Sequence, residues 1–94
     1  MAIRLVVTFR AQPGKGQDFA DAFVPLAQIT HSEKGCEQYQ LFRALDDPDT
    51  LVLLERWTSQ EDLDAHMEAM RGRGGSPTGQ FGAGPPSLER FEVE

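Results

Sequence analysis

The chain has 94 residues, of which 9 are Lys or Arg and 15 are Asp or Glu, so its formal net charge is −6. An acidic chain repels the phosphates of nucleic acids and the headgroups of anionic membranes, so neither is an expected partner. A chain of this length predicts a single domain over residues 1–94, and its small core favours oligomerisation.

The cysteine count and the first residues of the chain indicate the cellular compartment. Cys36 is the single cysteine, so no intramolecular disulfide can form. The residues that follow Met1 lack the apolar stretch of a secretory signal, and no apolar run approaches the roughly 20 residues that span a bilayer. We therefore expect a cytoplasmic protein that does not enter membranes.

The first third of the chain predicts a strand followed by a helix. Apolar residues alternate with others from Ile3 to Phe9, which is the period of a strand, and Pro13-Gly14 ends the pattern. Apolar residues then recur at helical spacing over residues 15–32. Pro25 lies inside this helix and should kink it, because proline removes a backbone donor.

The middle of the chain predicts a β-hairpin. Residues 36–44 and 51–57 read as its two strands, and the acidic stretch Asp46-Asp47-Pro48-Asp49 between them is typical of a turn. In the second strand, Glu55 and Trp57 share one face with two leucines, while the opposite face is also largely apolar. Both faces of the hairpin are therefore expected to be covered.

The last third predicts a helix, a loop and a strand. A hydroxyl side chain, Thr58 or Ser59, is placed to cap a helix whose buried face carries His66. Residues 72–86 hold six glycines and three prolines, which predicts a flexible loop without a regular element. Residues 88–94 alternate again and predict a final strand.

The order strand, helix, strand, strand, helix, strand predicts an α+β, ferredoxin-like βαββαβ fold with a four-stranded antiparallel sheet. Both helices pack on one face of such a sheet and leave the other face bare. Because this second face would carry apolar side chains, a second copy of the chain is expected to cover it. The expected partner is thus another copy of the chain, in a homodimer.

Over roughly residues 2–70 and the last strand, the chain resembles the antibiotic biosynthesis monooxygenase family of dimeric α/β barrel proteins. The resemblance rests on Gly35-Cys36 with Tyr39, the Asp46-Asp47-Pro48 turn, Glu55-x-Trp57 and Leu63-x-x-His66. It implies a small homodimer of the dimeric α/β barrel type. It also implies, as for some members, oxidation of a quinol- or anthrone-like aromatic by O₂ with no metal and no other cofactor.

The chain also departs from the family pattern after the second helix. The family commonly continues beyond the histidine with a Ser-Pro-His-Phe-like segment, whereas this chain continues with Met67-Glu-Ala-Met70 and then the glycine-rich stretch. Haem-degrading relatives use an asparagine on the first strand, and this chain contains none. Haem degradation is therefore not expected.

Oxygenation without a cofactor needs a dry pocket, a base and a group that stabilises the substrate anion. His66 is the candidate base because imidazole accepts a proton near neutral pH, and Glu55 is the candidate that orients it. The alternative for His66 is a packed histidine that hydrogen-bonds a strand or a carboxylate. The catalytic prediction is thus His66 with Glu55, and no metal ligands are predicted.

The predicted substrate-binding residues are Trp57, Tyr39, Arg43 and Phe9. Trp57 offers a flat apolar surface and Tyr39 a hydroxyl donor, although a core or interface position explains either residue equally well. Arg43 could neutralise an enolate, but lone arginines at strand ends are more often solvated. The alternative to an enzyme is a non-catalytic dimer of the same fold that binds a small molecule or supports a biosynthetic partner.

Overall fold

The computed structural model describes residues 1–75 and 77–94. Its elements are β1 (Ala2–Arg10), α1 (Gly16–His31), β2 (Cys36–Arg43), β3 (Thr50–Trp57), α2 (Gln60–Gly72), a 3₁₀ helix (Pro77–Phe81) and β4 (Ser87–Val93). The predicted order of strands and α-helices is confirmed. The observed ends of the predicted elements lie within about a residue of the expected ones, because each element carries a clear local period.

The four strands form one antiparallel sheet in the order β2-β3-β1-β4. Phe23 and Leu26 of α1 and Leu63 of α2 join the same buried cluster as Leu5 and Val7 of β1. Both helices therefore pack on one face of the sheet, as the ferredoxin-like fold requires. This face is called the helix face below.

The other face, called the open face, carries no helix. Strand pairing places Val6 opposite Leu54, and Val52 opposite Phe42, on this side of the sheet. Phe42 is 49% exposed and Phe91, at the other edge, is 47% exposed. A single chain thus leaves apolar side chains of all four strands in contact with solvent.

The predicted acidic turn between β2 and β3 also anchors the start of α1. The Asp49 carboxylate accepts hydrogen bonds from the backbone N–H groups of Gly14 and Gly16, each at 2.9 Å. Gly16 must be glycine here, because a Cβ atom would overlap the carbonyl oxygen of Pro48. Asp47 stabilises the turn itself by accepting from the N–H of Asp49 at 3.1 Å.

Ser59 is the N-cap of α2, since its hydroxyl accepts from the N–H of Asp62 at 3.2 Å. The first α-helix continues past Pro25, and the predicted kink stays a prediction. Of the helices in residues 1–75 and 77–94, none is both long and apolar enough to cross a membrane.

The segment 72–86 contains more regular structure than its composition predicts. Residues Pro77–Phe81 form the 3₁₀ helix, so the expectation of no regular element is wrong there. Gln12 N–H donates to the carbonyl of Phe81 at 2.8 Å, and Ala83 N–H donates to the carbonyl of Arg10 at 2.7 Å. These hydrogen bonds to residues at the end of β1 offset part of the conformational entropy that the glycines lose on folding. The flexibility of the segment stays a prediction.

Candidate active site

A cavity of about 550 Å³ lies between the helix face, both α-helices and the segment 79–86. Most of its walls are apolar side chains of the strands and the helices, including Leu5, Val7 and Leu53. Its volume falls in the range of about 300–1,000 Å³ that is usual for small-molecule sites. Of the residues predicted for the site, Phe9, Tyr39, Glu55 and His66 line this cavity.

One row of the sheet at the floor of the cavity, called the polar row, carries a polar side chain on three of its four strands. Strand register places Tyr39 of β2 opposite Glu55 of β3, Glu55 opposite Leu5 of β1, and Leu5 opposite Arg90 of β4. Neighbouring strands are about 4.8 Å apart, so the backbone positions of Tyr39 and Arg90 are separated by roughly 14 Å. The next row, which includes Leu53 and Val7, is apolar.

His66 lies above this row on the buried face of α2. Its side chain is only 2% exposed, and its ring centroid is 4.7 Å from that of Trp57 and 5.4 Å from that of Tyr39. The Nδ1 atom of His66 lies 2.6 Å from Oε1 of Glu33. The two interpretations of His66 are therefore compatible, because the ring bonds a carboxylate and also lines the cavity.

Glu55 has a different partner from the one predicted. The indole N–H of Trp57 donates to Oε1 of Glu55 at 2.9 Å, whereas the carboxylate that contacts His66 is that of Glu33. Burial raises the pKa of Glu55, while the Trp57 hydrogen bond and the nearby His66 act in the opposite direction. The expectation that Glu55 orients His66 is corrected: in the structure Glu33 makes that contact.

Trp57 and Arg43 do not line the cavity. Trp57 is fully buried behind Glu55 and His66, so it supports the site instead of forming its surface. Arg43 is exposed at the end of β2, where its guanidinium donates to the carbonyl of Pro48 at 3.1 Å and to Oε1 of Gln17 at 2.8 Å. These bonds hold the Arg43 side chain against the turn and α1, outside the cavity.

Tyr39 and Phe9 form part of the aromatic wall. The Tyr39 ring stacks on Phe23 with centroids 5.5 Å apart, and Phe9 packs against Phe19 at 5.1 Å. Burial, together with the neighbouring Glu55, raises the pKa of the Tyr39 phenol well above its ordinary value. The phenol therefore remains protonated at neutral pH and available as a hydrogen-bond donor.

The sequence analysis missed Glu33 and Arg90, two charged residues of this region. Glu33 belongs to the turn after α1, and no periodicity links it to a histidine 33 residues away. Arg90 lines the cavity, and its guanidinium donates twice to Oε1 of Gln60, at 3.1 and 2.6 Å. The alternation in β4 could have found Arg90, because it places Arg90 on the same face as Leu88.

The family model for antibiotic biosynthesis monooxygenases matches residues 2–71. The chain belongs to this family. The Bacillus subtilis protein named "Putative monooxygenase YcnE" is similar, with 29% identity over 72 residues that cover 77% of this chain and 76% of that protein. The family resemblance stated from the sequence is thereby confirmed.

Solved structures of other proteins share the fold over nearly the whole chain. A conserved protein from Methanosarcina mazei Go1 superposes with a TM-score of 0.89 at 25% identity, covering 100% of this chain and 94% of that one. Rv0793 from Mycobacterium tuberculosis gives 0.83 at 22% identity, with 100% and 96% covered. The "Putative antibiotic biosynthesis monooxygenase from Nitrosomonas europaea" gives 0.86 at 20%, with 98% and 89% covered. The ferredoxin-like prediction is confirmed.

Proposed function

We propose that this member of the antibiotic biosynthesis monooxygenase family oxidises a small quinol- or anthrone-like aromatic with O₂ and uses neither a metal nor an organic cofactor. The observation that carries the proposal is the buried imidazole of His66. It lies in the wall of a largely apolar cavity, and a carboxylate engages its Nδ1 atom. The cavity volume suits a compact aromatic molecule.

For an anthrone-like substrate, the proposed reaction converts the activated methylene into a carbonyl: R₂CH₂ + O₂ gives R₂C=O + H₂O. His66 accepts a proton from the substrate, and the resulting anion gives one electron to O₂. The substrate radical and superoxide combine into a hydroperoxide, which takes up the proton held by His66 and then loses water to form the carbonyl. The substrate supplies all the electrons that reduce O₂, so the reaction needs no further reductant.

The other cavity residues have distinct proposed roles. Tyr39 donates a hydrogen bond to the oxygen on which the substrate anion develops its charge. Glu55 is a second candidate catalytic group, because burial raises its pKa and the carboxyl, when protonated, can also donate to the substrate. Phe9 and its neighbours exclude water from the reacting atoms.

A second copy of the chain is the proposed partner for the open face. Two open faces stacked on each other would bury the exposed Phe42 and Phe91 rings together with the half-buried Leu54. The arrangement is isologous, since each copy contributes the same surface. The helix face, with its cavity, would remain on the outside of each sheet.

The test is oxygen uptake by metal-free protein with a panel of anthrones, naphthols and quinols, each corrected for autoxidation. Uptake should depend on the protein and fall at least tenfold in His66→Ala, because the base is lost. The matched control is His31→Gln, which removes the other imidazole outside the cavity and keeps an amide that can hydrogen-bond the carbonyl of Tyr39, 2.8 Å from Nε2 of His31.

The same experiment includes the outcome that contradicts catalysis. Trp57 is the single tryptophan and contacts both Glu55 and His66, so its fluorescence reports ligand entry. A saturable change in that fluorescence without any oxygen uptake would identify a non-catalytic binding protein. Equal uptake rates for His66→Ala and the wild type would remove His66 from the mechanism.

A further inference from the structure

We propose that Glu33 is the positioning residue of the active site, which fixes the tautomer and the orientation of His66; the inference rests on the proposed function of His66 as the base. Glu33 follows α1 in the turn before β2, and its side chain is 19% exposed against 2% for His66. Oε1 of Glu33 lies 2.6 Å from Nδ1 of His66. No other hydrogen bond of the His66 ring occurs among the described residues.

The chemistry of the pair sets which nitrogen carries the proton. An ionised carboxylate can only accept hydrogen bonds, so Nδ1 of His66 must be the donor. In the neutral ring, Nε2 then carries the lone pair. This is the nitrogen that a general base requires free, and a ring held at Nδ1 cannot turn over to exchange the two nitrogens.

The turn that carries Glu33 is itself held against α2. The backbone N–H of Glu33 donates to the carbonyl of Thr30 at 3.0 Å, and the N–H of Thr58 donates to the carbonyl of Gly35 at 2.9 Å. Gly35 has a φ of +82°, and the Asp62 side chain of α2 occupies the place where a Cβ atom would lie. The separation between Glu33 and His66 is thus set by these backbone contacts as well as by the hydrogen bond between the two side chains.

A second cation contacts the other carboxylate oxygen. Nη1 of Arg73, just beyond the end of α2, is 3.8 Å from Oε2 of Glu33. This contact places a positive charge beside the carboxylate of Glu33, on the side opposite to His66. Arg73, Glu33 and His66 are thus linked by successive contacts, and their exposure decreases from Arg73 to His66.

The decisive experiment is ¹⁵N NMR of the two imidazole rings in wild type, Glu33→Gln and Glu33→Asp, with His31→Gln used to assign the signals. Wild-type His66 should show a protonated Nδ1 and an unprotonated Nε2 at a pH where the ring is neutral. In Glu33→Gln the preference should weaken toward a mixture of tautomers, because a neutral amide both donates and accepts. Glu33→Asp should restore the wild-type tautomer in part.

Turnover gives the second readout. We expect kcat to fall about 10- to 100-fold in Glu33→Gln with little change in KM, since the ring is displaced while the cavity is intact. Glu33→Asp should recover part of the loss. The matched control is Glu61→Gln, which removes an exposed carboxylate near His66 on α2 and should leave both the tautomer and kcat unchanged.

Three outcomes would overturn the proposal: a wild-type His66 protonated at Nε2, an unchanged tautomer in Glu33→Gln, or an unchanged kcat in that variant. The NMR arm needs no substrate. If the wild-type protein consumes no oxygen, the proposed function fails, while the tautomer measurement still decides whether Glu33 positions His66.

Discussion

The two faces of the sheet are both apolar, yet they differ in how their polar residues are arranged. On the helix face, Glu55 is buried and accepts a hydrogen bond from Trp57, beside His66. On the open face, Arg56 pairs with Glu37 at 2.7 Å, and both side chains are partly exposed. An isolated, desolvated acid favours a chemical role, whereas the exposed apolar rings around the solvated ion pair favour association.

Trp57→Ala should have the largest effect on stability. It removes the largest fully buried side chain and leaves Glu55 without its donor, which together should destabilise the fold by about 3–5 kcal/mol. Equilibrium urea unfolding measures the loss. Trp57→Phe is the matched variant, because it retains most of the volume and should cost only about 1–3 kcal/mol for the unpaired carboxylate.

An equal loss of stability in Trp57→Ala and Trp57→Phe would contradict this assignment of the loss to both packing and the hydrogen bond. The indole hydrogen bond would then contribute everything and the packing nothing. The helix face would in that case be organised around a polar contact instead of an apolar core.

Glu55→Gln should change how stability depends on pH. The pKa of Glu55 is raised in the folded chain, so the native state binds more protons than the unfolded one between the two pKa values. The contribution of Glu55 to stability is therefore fully present below the ordinary value of 4.5 and is lost as the pH rises through the folded pKa. Glutamine does not ionise, so the stability of Glu55→Gln relative to the wild type should increase as the pH rises from 4.5 through the folded pKa.

Urea unfolding of both proteins at a series of pH values checks this expectation. The quantity to compare is the difference in the free energy of unfolding between the wild type and Glu55→Gln at each pH, because the other carboxylates contribute equally to both proteins. A difference that stays constant, or that shrinks as the pH rises, would show that Glu55 is ionised without cost in the fold. The closest open-face comparison is Glu37, whose pKa the Arg56 and Thr58 hydrogen bonds lower.

The local patterns predict the strands, the helices and one side of the site. Alternation alone places Glu55 and Trp57 on the buried side of β3, and helical spacing places His66 on the buried side of α2. Alternation also places Arg43 on the same side as Tyr39, but the cavity ends before the last residue of β2. The face on which a strand residue lies follows from the local alternation, whereas the extent of a cavity depends on the elements that enclose it.

The Glu33–His66 contact could not be predicted, because it depends on how a turn packs against a helix. Glu33 is the last acidic residue before the Gly35-Cys36 pair, and nothing in its neighbourhood distinguishes it from Glu37. The carboxylate on the predicted face, Glu55, is instead bound by its neighbour at i+2 on the same strand. Only the fold shows which of the two carboxylates reaches the ring.

Leu54→Glu tests the role proposed for the open face. Leu54 lies opposite Val6 and Gln40, near the middle of that face, and is half-buried in the single chain. A carboxylate there would be desolvated in a stacked dimer and should shift the protein to monomers, as measured by sedimentation velocity. Glu89→Gln is the control, because it alters a polar residue of the same face without adding a charge.

The circular dichroism spectrum of the Leu54→Glu variant should match that of the wild type, since each sheet retains its own core. A wild-type protein that sediments as a monomer at micromolar concentration would contradict the proposed partner. So would a Leu54→Glu variant that remains fully dimeric.

Arg43→Gln should have the smallest effect of these changes. The side chain bonds the turn and α1 from an exposed position outside the cavity, so kcat and KM for any accepted substrate should match the wild-type values. Arg90→Gln is the matched substitution inside the cavity and should raise KM for substrates that carry an acidic group. A KM that rises in Arg43→Gln but not in Arg90→Gln would mean that substrate reaches the site from the β2 end of the sheet, and the polar row would then lose its significance for binding.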